Sequence, residues 1–99
     1  MFKNIDKKFE EIGFIKVSED KYGAFYERYD KEHNFTQVLA IVYKANGNHV
    51  IQSYDRDLFD EDCMGNVCVG LTYYETKLAL KKMKKMGYNK RWKHINLLD

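Results

Sequence analysis

Phe35-Thr36-Gln37-Val38-Leu39-Ala40-Ile41-Val42-Tyr43 is the stretch that decides the fold. β-branched and aromatic residues fill it, and such residues fit a pleated, half-buried surface. Side chains alternate across a strand, so Phe35, Gln37, Leu39, Ile41 and Tyr43 share one face, with Thr36, Val38, Ala40 and Val42 opposite. Both faces are mostly apolar, which predicts a central strand. Asn46-Gly47 then reads as a hairpin turn, because both positions tolerate positive φ. His49 to Tyr54 is the predicted returning strand. On the other side, His33-Asn34 makes a turn and the aromatic-rich Lys21 to Tyr29 reads as the preceding strand. The alternative there is a helical turn around Phe25 to Arg28. Phe14 to Val17 is a short strand or its lead-in.

The flanks read as helices. Phe2, Ile5, Phe9 and Ile12 recur at three- and four-residue steps, one face of a short helix that Gly13 stops. After an acidic loop, Asp55 to Asp62, Gly65-Asn66 turns into a predicted short strand, Val67 to Leu71. Thr72 and Glu75 then fit a capping box, in which the hydroxyl accepts from the backbone three residues on and the carboxylate reaches back. The helix they open runs to about Met86, with Tyr73, Ala79, Leu80, Met83 and Met86 expected to face inward and Gly87 ending it. Residues 88–99 form a tail with room for one more helical turn. The expected class is α+β: a short N-terminal helix, a three- to four-stranded antiparallel meander and a C-terminal helix, with both helices on one sheet face.

Ninety-nine residues predict one domain, spanning 1–99. The 44% apolar and 15% aromatic content excludes a disordered chain. No stretch approaches the ~20 apolar residues of a membrane span and no signal-peptide apolar core opens the chain, so a cytoplasmic protein is expected. Two cysteines are too few for a secreted disulfide framework and read as thiols in a reducing compartment. Net charge is +2, but residues 1–76 carry nine Lys/Arg against fourteen Asp/Glu, and residues 77–99 carry eight against one. The chain is a charge dipole.

Chemistry-bearing patterns are sparse. Cys63 and Cys68 stand at C-x4-C without the second pair a structural zinc site needs, and His33, His49 and His94 fall at no ligand spacing. Across a tight turn the two thiols would instead face each other on a hairpin, within disulfide reach under oxidation. The acidic loop is no calcium loop: Phe59 sits where the third ligand belongs, and the turn glycine is missing. No Gly-rich phosphate loop, nucleophile elbow or Ser/His/Asp grouping can be traced, and the three acids before Cys63 raise a thiol pKa rather than lower it. The expectation is a non-enzymatic chain with no metal and no cofactor.

Two surfaces of opposite sign remain. Asp55, Asp57, Asp60, Glu61 and Asp62 could offer a basic groove carboxylates spaced like phosphates, with Leu58 and Phe59 as apolar anchors. Lys77, Lys81, Lys82, Lys84 and Lys85 run along the second helix, and the alternative is nucleic-acid binding by Lys77, Lys81, Lys84, Lys85, Lys90, Arg91 and Lys93, with Trp92 and Tyr88 interleaved for stacking. Lysines at a helix C-terminus also simply favour the macrodipole, and Lys serves bidentate phosphate recognition less well than Arg. A third option is a homo-oligomer joined through Trp92, Leu97 and Leu98.

The phrase Glu11-Ile12-Gly13-Phe14, the Tyr-rich meander, and Leu71-Thr72, Glu75 and Lys82-Met83-Lys84-Lys85-Met86-Gly87-Tyr88 together resemble small uncharacterised proteins of phages and prophages of low-GC Gram-positive bacteria. The likeness spans nearly the whole chain to Tyr88 and carries no catalytic signature. It implies an accessory role in the cytoplasm of a bacterial host: binding a host protein, for example to inhibit a defence nuclease such as a CRISPR effector.

Overall fold

The computed structural model describes residues 4–58 and 68–88. Helix α1 (Ile5–Glu11) opens on Asn4, whose side chain accepts from the Lys7 amide at 2.8 Å. Gly13, at φ 94°, takes the left-handed conformation that turns the chain out of the helix. Strands β1 (Ile15–Asp20), β2 (Gly23–Asp30), β3 (Phe35–Val42) and β4 (Val50–Asp55) form one antiparallel sheet in the order β1-β2-β3-β4. Helix α2 (Tyr73–Lys85) follows, with the complete capping box between Thr72 and Glu75. The class is α+β, as the sequence predicts, and β3 is interior, with β2 and β4 on either side.

The core lies on one sheet face. Ala24, Tyr26, Leu39 and Ile41 meet Ile5, Phe9 and Phe14 from the N-terminal segment and Leu78 and Ala79 from α2. The Phe9 ring stacks on Tyr26 at 4.3 Å, and Phe14 meets Phe9 edge-on at 6.0 Å. Burying such rings fully contributes about 1.5–3 kcal/mol each, so these contacts hold α1 to the sheet.

Two polar clusters close the rim of this core. Lys82, almost fully buried, reaches Glu19 at 2.8 Å and Asp6 at 3.2 Å, and Lys16 reaches the same two carboxylates at 3.0 and 2.9 Å. The Tyr26 hydroxyl donates to Asp6 at 2.6 Å, so one knot joins α1, β1, β2 and α2. Burial pushes the Asp6 carboxyl up, but the hydrogen bonds from Tyr26, Lys16 and Lys82 outweigh it and hold the pKa at about 2. In the second cluster Arg28 meets the buried Glu75 at 2.8 Å, donates to the Ile12 carbonyl and to Gln37, and lies over the Phe14 ring.

Three expectations change, and one is met over its alternative. Tyr73 and Leu80 do not face inward: they are 81% and 55% exposed, while Leu78, Glu75 and Lys82 take the buried positions beside Ala79. The inward stripe is set by what α1 and β2 offer, and they offer Asp6 and Arg28 as well as apolar rings. The expected Lys21–Tyr29 strand forms as Gly23–Asp30, with no helical turn around Phe25 to Arg28. The β3–β4 connection is not a two-residue hairpin, because Val42 pairs with Val50 and the loop spans 43–49. Within that loop Gly47 has positive φ (87°) and Asn46 does not, so a primed turn never forms. Finally, the described part of the Val67–Leu71 strand is an isolated bridge between Cys68 and Tyr54.

Candidate binding surfaces

The basic surface has its described half on α2. Lys77, Lys81, Lys84 and Lys85 are all exposed, and among the described residues none pairs with a carboxylate. Positions 73, 77, 80 and 84 fall at four-, three- and four-residue steps and so share a helix stripe. Tyr73 and Leu80 therefore stand among the lysines, and the Lys77 ammonium lies 5.8 Å from the Tyr73 ring centre. Lys82 belongs to the interior instead, which removes one cation from the run. Lys90, Arg91, Trp92 and Lys93 lie outside the described residues, as do Leu97 and Leu98.

The acidic loop is described as far as Leu58; Phe59, Asp60, Glu61 and Asp62 lie outside the described residues. Asp55 closes β4, and its carboxylate accepts from the amides of Asp57 and Leu58 at 2.9 and 3.4 Å, a turn-forming use of the side chain. Arg56 donates to Glu27 at 3.0 Å and lies 3.6 Å from Asp57. Leu58 is 60% exposed. Asp57 is thus the more open of the two described loop carboxylates, and Leu58 stands beside it as an apolar anchor.

Sequence reasoning missed a third surface, the sheet face opposite the helices. In register, Ile15, Glu27, Val38 and Tyr54 form one cross-strand row, and Ser18, Phe25, Ala40 and Gln52 the next. Val42 and Val50 pair beyond them. Neither helix lies on this face. Val38 and Ala40 are nevertheless buried, and the Arg56–Glu27 pair reaches across β3 from the end of β4 to β2. Ile15, from the same row, is 59% exposed. Burial pushes the Tyr54 hydroxyl pKa up, and the Glu27 charge adds to it. The apolar residues of both faces of β3 announced this surface, but only the register shows which ones collect there.

The remaining chemical candidates stay dispersed. Cys68 is an exposed free thiol, and Cys63 lies outside the described residues. His33 pairs with Asp30 in the β2–β3 turn at 3.0 Å, where hydrogen bonding to the carboxylate raises the imidazole pKa. His49 Nδ1 accepts from the Lys44 amide, which places the neutral ring's proton on Nε2. Among the described residues no three His, Cys, Asp or Glu side chains gather as a metal site, and no helix is long and apolar enough to cross a membrane. Compared with protein-family models, with curated proteins and with solved structures, the chain matches none.

Proposed function

We propose that this chain is a small non-enzymatic binding protein that attaches to a host protein through the sheet face that neither α1 nor α2 covers and the acidic loop that begins at its edge. The observation that carries the reading is the juxtaposition of the two. An apolar centre of Ile15, Phe25, Val42 and Val50 adjoins the Arg56–Glu27 pair and the start of a loop with five carboxylates and one Arg between Asp55 and Asp62. Apolar centre and charged rim are the anatomy of a protein interface, and the sign of the rim selects a basic partner surface. The resemblance to phage accessory proteins makes a defence nuclease such as a CRISPR effector the first partner to try, because its nucleic-acid groove is basic. The test is inhibition of target cleavage by purified protein. Asp57→Lys, Asp60→Lys and Glu61→Lys combined should abolish inhibition, and Lys81→Glu, Lys84→Glu and Lys85→Glu combined should leave it intact. The opposite pattern overturns the reading.

A second reading has its own observation. The exposed Tyr73 and Leu80, among four lysines that pair with no carboxylate of the described residues, make the outward side of α2 a mixed stacking and phosphate surface, as a nucleic-acid-binding module requires. Direct DNA or RNA binding lost in the Lys→Glu variant would promote it.

A further inference from the structure

A cleft of about 500 Å³ opens where the β1–β2 turn, the β3–β4 loop and the C-terminal end of α2 meet. Its lining includes Glu19, Asp20, Tyr43, His49, Met86 and Tyr88. That volume lies within the range of small-ligand sites, roughly 300–1,000 Å³. Three rings form one wall: Tyr43 stacks on His49 at 4.9 Å, and His49 meets Tyr88 at 4.4 Å. The Tyr88 hydroxyl donates to the Lys21 carbonyl at 3.3 Å, which ties this wall to the β1–β2 turn.

Charge decides what such a wall would hold. Glu19 is neutralised by Lys82 and Lys16. Asp20 accepts from the Tyr22 amide at 2.8 Å and, among the described residues, meets no cation. Lys21 also lines the cleft, but its ammonium lies over the ring of Tyr22, which is not part of the lining. The end of α2 contributes the partial negative charge of a helix C-terminus. A carboxylate with no cation partner among the described residues, a helix C-terminus and a wall of aromatic rings all favour positive charge. Burial raises the Tyr88 hydroxyl pKa, and Asp20 is the next cause, so its field reaches the ring.

We propose that this cleft binds an organic cation, an alkylammonium or guanidinium group, against Tyr43, His49 and Tyr88 with Asp20 as counter-ion. The cation is either a free small molecule or a Lys or Arg side chain of another protein. The cleft shares no residue with the sheet-face surface, so the two readings stand or fall separately.

The test is amide-resolved NMR titration of the full chain with choline and with N-acetyl-arginine methylamide. Each is paired with its uncharged isostere, dimethylbutanol and the citrulline analogue. Saturable shifts centred on Asp20, Gly47 and Tyr88 are expected, with the isosteres at least ~10-fold weaker. Asp20→Asn keeps an acceptor for the Tyr22 amide and removes the charge, so it should weaken binding by roughly 5- to 10-fold without changing the melting temperature. Binding of choline alone identifies a free cation as the ligand, and binding of the arginine derivative alone identifies a partner's side chain. Isosteres that bind as well as the cations, an Asp20→Asn protein that binds as the parent does, or no saturable shift from either cation would each overturn the proposal.

Discussion

Thr72 accepts from the Glu75 amide at 3.1 Å while the Glu75 carboxylate accepts from the Thr72 amide at 3.0 Å, so two otherwise orphaned donors at the start of α2 are satisfied reciprocally. Thr72→Ala should therefore cost about 1 kcal/mol, which for a domain this size is a fall of roughly 4–8 °C in melting temperature. Thermal unfolding followed by circular dichroism checks it. Asp6 gives a second prediction at this scale, this one in pH. Its pKa falls from an ordinary 3.8 to about 2 on folding, so the unfolded chain binds the proton more readily. The stabilisation from Asp6 is complete above the unfolded value and is lost as pH falls through about 2. Urea midpoints measured between pH 5 and 2 should fall with acid, and Asp6→Asn should flatten that fall while lowering the midpoint near neutral pH.

Helix α2 carries two duties on its inner face and a third on its outer one. Leu78 and Ala79 close the core, Glu75 and Lys82 engage charges from β2, α1 and β1, and the lysine stripe faces solvent. Removing one partner of a largely buried ion pair leaves the others uncompensated, typically at 3–5 kcal/mol. Here Asp6 and Glu19 are each about 30% exposed and keep Lys16, so Lys82→Ala should cost less, about 2 kcal/mol. Lys81→Ala, one residue away and exposed, should change stability by less than ~0.5 kcal/mol. Chemical denaturation of the two variants side by side checks the contrast. Equal effects would mean that Lys82 is not the interior lysine.

Across the whole molecule, charge of one sign collects in the loop beyond β4 and charge of the other along α2 and the sequence after it. The two readings of function predict opposite responses to salt. Six lysine–phosphate contacts on duplex DNA would give a log–log slope near about −5 for affinity against salt. If the acidic loop and sheet face are the working surface, free DNA should bind negligibly at physiological ionic strength, where the Debye length is about 8 Å. Fluorescence anisotropy with a labelled duplex across a salt series separates the two, and we expect negligible binding.

The local signals were legible in the chain itself. Gly13, the Thr72–Glu75 box and the apolar run from Phe35 to Val42 each specify backbone geometry through their own sterics and hydrogen bonding, and each forms where the residues predict it. The antiparallel order of the meander follows as well, although β3 and β4 are joined by a loop over 43–49 and not by a tight Asn46-Gly47 turn. Which side of α2 is buried was not legible, because Tyr73 and Leu80 are apolar and Lys82 is charged. Hydrophobic periodicity favours the former for the interior, yet the fold places Asp6 and Glu19 where only a cation satisfies them. Nor could the chain show that Asp20, Tyr43, His49 and Tyr88, spread over 69 positions, line one cleft. Sequence determined the elements because they rest on interactions a few residues long. The tertiary structure alone decided the surfaces, because they depend on register and packing between segments far apart in the chain.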